Sequence, residues 1–259
     1  MNKSEFLCMA KEAAKKAGDM LCDSIYSFRE IHYKGAINLV TNFDDQSQKM
    51  IYSELSSRFP EHDFLAEEDL RAEKGSEFRW IVDPLDGTTN YAHGFPVFCV
   101  SIALEHEGTV ILGVVYDPMR KEMFTALQNE GAFLNKKRIK VSDVDDLDKS
   151  LLATGFPYDI RSSKVNNIDN FNKFLTRVQA IRRCGSAALD LCYLACGRFD
   201  GFWELKLYPW DIAAGLLIVK EAGGQVSDFK GRSINLSGKE ILATNGLIHK
   251  QMIKVLQQK

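Results

Sequence analysis

No stretch of the chain approaches the roughly 18 consecutive apolar residues that a membrane-spanning helix needs. The N-terminal MNKSEFLCMAKEAAKKAGDM is broken by charge at helical spacing, so it has no uninterrupted apolar block of the signal-peptide kind. Net charge is small too: 33 Lys and Arg against 35 Asp and Glu leave −2, and nothing in that balance draws the protein toward nucleic acid or an anionic membrane. Low-complexity tracts, internal repeats, CxxC pairs and Cys/His spacings suited to zinc are all missing. Six cysteines (Cys8, Cys22, Cys99, Cys184, Cys192 and Cys196) are too sparse for the framework of a short secreted domain. They read as reduced thiols, Cys192 and Cys196 lying four apart on one face of an apolar helix, and the sequons at Asn2 and Asn235 then read as coincidental. What remains is ordinary: 259 residues, 45% apolar and 26% charged, suited to a soluble, cytoplasmic globular protein.

Apolar positions at helical spacing predict an amphipathic helix over residues 4–28. Ile37–Val40 reads as a short strand or extended arm, followed by a helix capped by Asp44 or Asp45 and stopped before Pro60. DFLA (63–66) and RWIV (79–82) are short apolar runs that end in acids. From Phe95 to Arg138, strands separated by Gly, Pro and Asn breaks predict an antiparallel meander. The charged stretch 141–150 reads as a seam. Beyond it strands alternate with helices near 166–179, 186–197, 211–222 and 247–257, the pattern of a sheet covered by helices. The chain is expected to be one domain over 1–259, with an α+β half (1–145) and an α/β half (146–259).

Acidic residues gather where short apolar strands end: Glu67-Glu68 after DFLA, Asp83 and Asp86 after RWIV, Asp211 after LYPW. Pro84 fixes φ and opposes continuation of a sheet ladder, and Gly87 permits close backbone approach. The turn can therefore aim both carboxylates and the Leu85 carbonyl into one volume, an all-oxygen set that selects hard cations such as Mg²⁺. Gly87-Thr88-Thr89 can open a helix whose N–H groups suit a phosphate. Each feature also has a plain explanation, since Asp, Pro and Gly make turns and Asp211 can be an N-cap. Trp80, Trp203 and Trp210 read as core, His93 as a helix-end residue, and Lys250, Lys254 and Lys259 as a solvated face.

WIVDPLDGTTNYAHGFP, with AEED upstream and WDIAAGLLIVKEAGG downstream, resembles the inositol monophosphatase family of Mg²⁺-dependent phosphatases. Further matches (LVTNFDDQ, GVVYDP, RRCGSAALDLCYLACGRFDGFWE and ILATN among them) extend the resemblance over about residues 30–245. It implies a layered α/β/α/β/α sandwich of the sugar-phosphatase type, two or three Mg²⁺ ions and, by analogy, a homodimer. It also implies that Glu67, Asp83 and the Leu85 carbonyl hold a first metal, and Asp83, Asp86 and Asp211 a second. By the same resemblance Glu67 and Thr88 would orient the attacking water, and Asp44 would accept the threonine proton. Leu85, Asp86, Gly87 and Thr88 would contact phosphate, and Gly185, Ser186, Ala187, Glu204 and Asp211 the rest of the substrate. Two departures stand out: Asp44 and Asp45 compete for one role, and AEED replaces GEE.

The resemblance implies hydrolysis of inositol monophosphate by metal-activated water. Alternatives are fructose 1,6-bisphosphate, adenosine 3′,5′-bisphosphate or NADP as substrate, or a non-catalytic metal-dependent regulator, which would be marked by a lost ligand. None of Glu67, Asp83, Asp86, Asp211 or Thr88 is lost.

Overall fold

A computed structural model describes residues 3–27, 31–33, 39–68 and 70–258, with side chains throughout except at 31–33, 39 and 40. Asn2, Ile37 and Lys259 lie outside the described residues. The first helix, α1 (Lys3–Ser24), buries Phe6, Ala10, Ala13, Ala14, Ala17 and Leu21 along one stripe. β1 (Ile31–Tyr33) and β2 (Leu39–Thr41) pair antiparallel before α2 (Asn42–Arg58). Neither Asp44 nor Asp45 is the cap of α2. The N-cap is Thr41, whose Oγ1 accepts from Phe43 N–H, and Asp44 is the third helical residue, turning its carboxylate back to the Thr41 N–H. This reciprocal box satisfies two orphan donors at once, which a lone Asp cap does not.

The first half continues through β3 (Asp63–Ala66), β4 (Arg71–Ala72), β5 (Phe78–Asp86), α3 (Thr88–Ala92), β6 (Cys99–His106), β7 (Thr109–Asp117), β8 (Glu122–Leu127), β9 (Gly131–Leu134) and β10 (Lys137–Arg138). These strands form one sheet in the order β10-β9-β8-β7-β6-β5-β3-β4. From β5 to β10 each strand pairs antiparallel with the next, as the turn signals predicted, and β3 joins β5 in parallel. The second half contributes β11 (Leu151–Thr154), α4 (Ile168–Leu175), β12 (Ala180–Arg182), α5 (Ala187–Ala195), β13 (Gly201–Leu205), α6 (Pro209–Glu221), β14 (Gln225–Ser227), β15 (Glu240–Thr244) and α7 (His249–Leu256). Its sheet has the order β12-β11-β13-β15-β14, parallel around β11 and antiparallel around β15.

Three apolar clusters stack these elements into five layers. One face of the large sheet packs on α1 and α2 through Leu21, Ile51, Leu55, Trp80, Val100 and Leu112. Its other face, through Ile81, Ala103 and Val115, meets Leu191, Leu194, Leu217 and Ile218 of α5 and α6, which also cover Phe202 and Ile241 of the small sheet. The outer face of the small sheet lies under α4 and α7 through Phe174, Trp203, Leu242 and Met252. The order is therefore helix, sheet, helix, sheet, helix, an α/β/α/β/α sandwich. Trp80 and Trp203 are both core residues, at 1% and 0% exposure. Among the described residues no helix is long and apolar enough to cross a membrane, and all six cysteines are free thiols.

The middle helices sit close because small residues let them. A Cβ on Gly113 of β7 would stand 2.8 Å from the Ala214 carbonyl oxygen and 3.1 Å from its Cα, both on the backbone of α6. Backbone cannot yield as a flexible side chain does. Gly113→Ala is expected to destabilise the protein by about 1–3 kcal/mol through overpacking, read as a lower urea midpoint with an unchanged m value. Unchanged stability would mean that α6 is free to lift off the sheet.

Candidate active site

The strand that ends in the acidic motif does not stop at its proline, as the sequence suggested. β5 runs on to Asp86. Its ladder with β6 pairs Asp83 with Ser101 and then Asp86 with Cys99, so the register shifts between the two acids. Pro84 occupies this bulge, where a strand tolerates a residue without an N–H. The bulge re-aims the acids. Asp83 Oδ1 accepts from the Leu85 N–H at 3.0 Å, and the Pro84 carbonyl accepts from Ser47 Oγ at 2.7 Å, pinning the bulge to α2. Gly87 follows at φ 97°, and a Cβ there would come within 2.9 Å of the Val97 carbonyl oxygen, so glycine is required twice over. Thr88 then opens α3, a helix of only five residues, and His93 is its exposed C-cap.

Thr88 Oγ1 lies 3.0 Å from the Leu85 carbonyl and 3.1 Å from Asp44 Oδ1. Asp44 also accepts from the Thr41 N–H at 2.8 Å and Thr41 Oγ1 at 2.6 Å. Of the two competing acids, Asp44 is fully buried against Thr88, and Asp45 is exposed. Glu67 follows β3, beside the start of the bulge, with its N–H bonded to the Val82 carbonyl at 3.3 Å. Its neighbour Glu68 exchanges two hydrogen bonds between its backbone and the Gln48 amide, at 3.0 and 3.2 Å. Asp211 is the third residue of α6 and not its N-cap. Tyr208 is the N-cap, and Asp211 Oδ2 accepts its N–H at 2.7 Å.

From the second half, Asp86 Oδ2 receives Ser186 Oγ and the Ala188 N–H, both at 2.7 Å, at the start of α5. Asn90 fixes the same junction, donating to the Val97 carbonyl at 2.7 Å and the Cys184 carbonyl at 2.8 Å. Glu204, on β13, and Gly185 to Ala187 line the same cleft as Glu67, Asp83, Leu85, Asp86, Gly87, Thr88 and Asp211. The cleft holds about 810 Å³ of free space, part of it open to solvent. Of the residues to which the family resemblance gives a role, only Asp44 stands behind the lining, and it reaches the cleft through Thr88.

This crowding of acids is costly. Burial, reinforced by the charges of Glu67, Asp86 and Asp211, pushes Asp83 far above the ordinary carboxylate range. Burial also raises Asp211, whose rise the Tyr208 N–H opposes, and Asp86, whose rise Ser186 and the Ala188 N–H oppose. Asp44 is pushed up to about 6 and Glu204 to about 8, burial being the first cause of each. Among the described residues Asp83, Asp86 and Asp211 have no Lys or Arg ion-pair partner, and no three His, Cys, Asp or Glu side chains alone form a ready-made ion cage. The donor set still suits a hard cation: the buried Asp83 and the half-buried Asp86 and Asp211, Glu67 beside them, and the Leu85 carbonyl, all oxygen. A bound cation would offset their mutual repulsion. Sequence reasoning missed the supports Thr41, Ser47, Gln48 and Asn90. Only Thr41 had a local signal, the Thr-x-x-Asp spacing of a capping box.

A family model described as "Inositol monophosphatase family" matches residues 2–259. The chain is 45% identical over 260 residues to "Inositol monophosphatase 3" of Solanum lycopersicum, covering 98% of this chain and 97% of that protein. It is 43% identical over 242 residues to "Nus factor SuhB" of Vibrio cholerae, covering 92% and 91%. The fold superposes on a solved inositol monophosphatase from Anabaena with a TM-score of 0.91 at 41% identity, over 100% of this chain and 97% of that one.

The electrostatics give a pH dependence. Asp44 and Glu204 keep protons in the native state that the unfolded chain releases nearer the ordinary values of 3.8 and 4.5. The native state therefore binds more protons through the window from about 4 to 8, and stability falls as pH rises through it. In divalent-free buffer the melting temperature is expected to drop from pH 5 to pH 8. Glu204→Gln should flatten the upper part of that decline, and Mg²⁺ should raise the melting temperature most at the alkaline end. A melting temperature that climbs with pH in chelator would contradict this.

Proposed function

Because the chain belongs to the inositol monophosphatase family, and is on that ground a phosphoric monoester hydrolase, we propose that it hydrolyses a small phosphorylated polyol with the help of Mg²⁺. Inositol monophosphate is the foremost substrate. The observation that carries this reading is the convergence of Glu67, Asp83, Asp86 and Asp211 on one cleft beside the Thr88–Asp44 pair. Glu67, Asp83, Asp86, Asp211 and the Leu85 carbonyl would hold the metal, as two or three ions. When bound, Mg²⁺ supplies the positive charge that offsets the phosphate dianion, acidifies water and steadies the departing alkoxide.

The protein's own groups have distinct tasks. Thr88 passes its hydroxyl proton toward Asp44, which leaves its oxygen lone pairs free to accept from the attacking water. Asp44 suits that task because its carboxylate is fixed by Thr41 on the side away from Thr88. Glu67 orients the same water and takes up its proton as the oxygen closes on phosphorus. Gly87 brings backbone close to the phosphate at a φ that other residues resist. Glu204 and the 185–187 turn face the polyol, whose oxygen takes a proton from solvent water as the P–O bond breaks, and Glu67 returns its proton to solvent. The balance is one ester and one water giving one alcohol and one inorganic phosphate, with no covalent intermediate. Cytoplasmic residence and a homodimer belong to the same reading. Relatives named "Nus factor SuhB" keep open a regulatory task beside catalysis, but the retention of every proposed ligand favours turnover.

Three substitutions test the division of labour. Asp83→Asn should lower kcat/KM by at least about 10³ and weaken Mg²⁺ binding, since it removes the charge shared between the metal positions. Glu67→Gln should leave phosphate binding near wild type and chiefly lower kcat. Asp211→Asn keeps an oxygen for the Tyr208 N–H, so unfolding in EDTA should shift by less than about 1 kcal/mol, while kcat at saturating Mg²⁺ falls by about 10²–10³. Near-wild-type kcat for Asp211→Asn would reduce that residue to a helix-capping part, and full activity in chelator would end the metal reading.

A further inference from the structure

The acids of the cleft are hydrogen-bond acceptors, and so is a phosphoryl dianion, so substrate binding depends on donors. Most polar donors lining the cleft are already used. Ser186 donates to Asp86, Thr88 is shared between Asp44 and the Leu85 carbonyl, and Thr154 donates to the Trp203 carbonyl at 2.6 Å. The Lys206 ammonium is spent on Asp159 Oδ2 at 2.6 Å and Ser163 Oγ at 2.9 Å. Arg183 belongs to the polyol end, beside Gly185 and Asn90 and in the field of Glu204.

Tyr158 is different. It lines the cleft, and its hydroxyl has no hydrogen-bond partner among the described residues. Tyr158 as a whole is 51% exposed, and it stands in the field of Glu67, Asp211, Asp86 and Asp83, acids that line the same cleft. A phenol is neutral near pH 7, so Tyr158 brings a hydrogen-bond donor to a cleft whose acids only accept. Its loop is anchored as well. Lys206, just beyond β13, bonds to Asp159 and Ser163 on either side of the 160–162 turn and so ties the Tyr158 segment to the strand that carries Glu204.

We propose that the Tyr158 hydroxyl donates a hydrogen bond to a phosphoryl oxygen of bound substrate and product, and that Lys206 is the positioning residue that holds its loop over the cleft. The proposal rests on the phosphatase reading above. Two probes test it in the presence of saturating Mg²⁺: inositol 1-phosphate for turnover and inorganic phosphate for calorimetric binding. Tyr158→Phe removes only the hydroxyl at a half-exposed position. It should weaken phosphate binding and raise KM in parallel, each about tenfold, with kcat within about threefold, as for a lost hydrogen bond to a charged group. Lys206→Met should act in the same direction but less. In the Tyr158→Phe background it should add nothing further, because it acts through Tyr158. Unchanged phosphate affinity in Tyr158→Phe, or a Lys206→Met effect that adds in full, overturns the proposal while an active wild type leaves the phosphatase reading standing. A wild-type protein that neither binds phosphate nor turns over the ester overturns both.

Discussion

Like charge held together out of water is the constraint that organises this molecule. Asp83 is 1% exposed and shares a cleft with Glu67, Asp86 and Asp211. Carboxylates so placed repel one another and lose hydration, and the fold answers with backbone and hydroxyl donors. The Leu85 N–H serves Asp83, the Ala188 N–H and Ser186 hydroxyl serve Asp86, and the Tyr208 N–H serves Asp211. Three of those donors stand at the starts of α5 and α6, the helices of the central layer, where the positive end of the helix dipole adds to the hydrogen bonds. The bulge in β5, the closeness of Gly113 to Ala214 and the packing of α5 on α6 all follow from bringing both helix starts to the end of one strand.

Much of the architecture was legible because its signals are local. Apolar strand-like runs and the Gly, Pro and Asn breaks between them announced the β6–β10 meander, and helical spacing announced α1 and helices of the second half. Boundaries drifted where local signals compete. Asp44 and Asp45 both look like caps, but Thr41 precedes them at the spacing of a reciprocal box. Pro84 looks like the end of a strand, but a bulge accommodates it without breaking the ladder on either side. Asp211 looks like an N-cap, but Pro209 fits the first helical turn and pushes the cap back to Tyr208.

The candidate site divides in the same way. Strand-end acids are visible in a one-dimensional string, and family resemblance supplies their grouping. The supports are not visible, because each joins segments far apart. Gln48 reads Glu68 across 20 residues, Asn90 reaches Cys184 across 94, and Ser186 reaches Asp86 across 100. Nothing in the local sequence marks a glutamine on a helix as the clamp for a strand end. Such residues become visible only when the accounting of buried donors and acceptors is done in three dimensions.

The two readings of Asp211, helix-start residue or proposed metal ligand, are not rivals. An aspartate at the third helical position spends one oxygen on the Tyr208 N–H, and that bond fixes the rotamer of the whole carboxyl group. A ligand needs the same immobility, because a carboxylate free to rotate would lose side-chain entropy on binding an ion. Asp44 repeats the device: its cap to Thr41 uses Oδ2 and leaves Oδ1 facing Thr88. Asp86 repeats it across chain segments, with Oδ2 held at the start of α5. In each case backbone N–H groups that a helix leaves unsatisfied stabilise a buried negative charge, and the charge satisfies the helix. Capping and site-building are one interaction seen from its two ends, so a sequence pattern for helix starts and one for an acidic site coincide at the same residues.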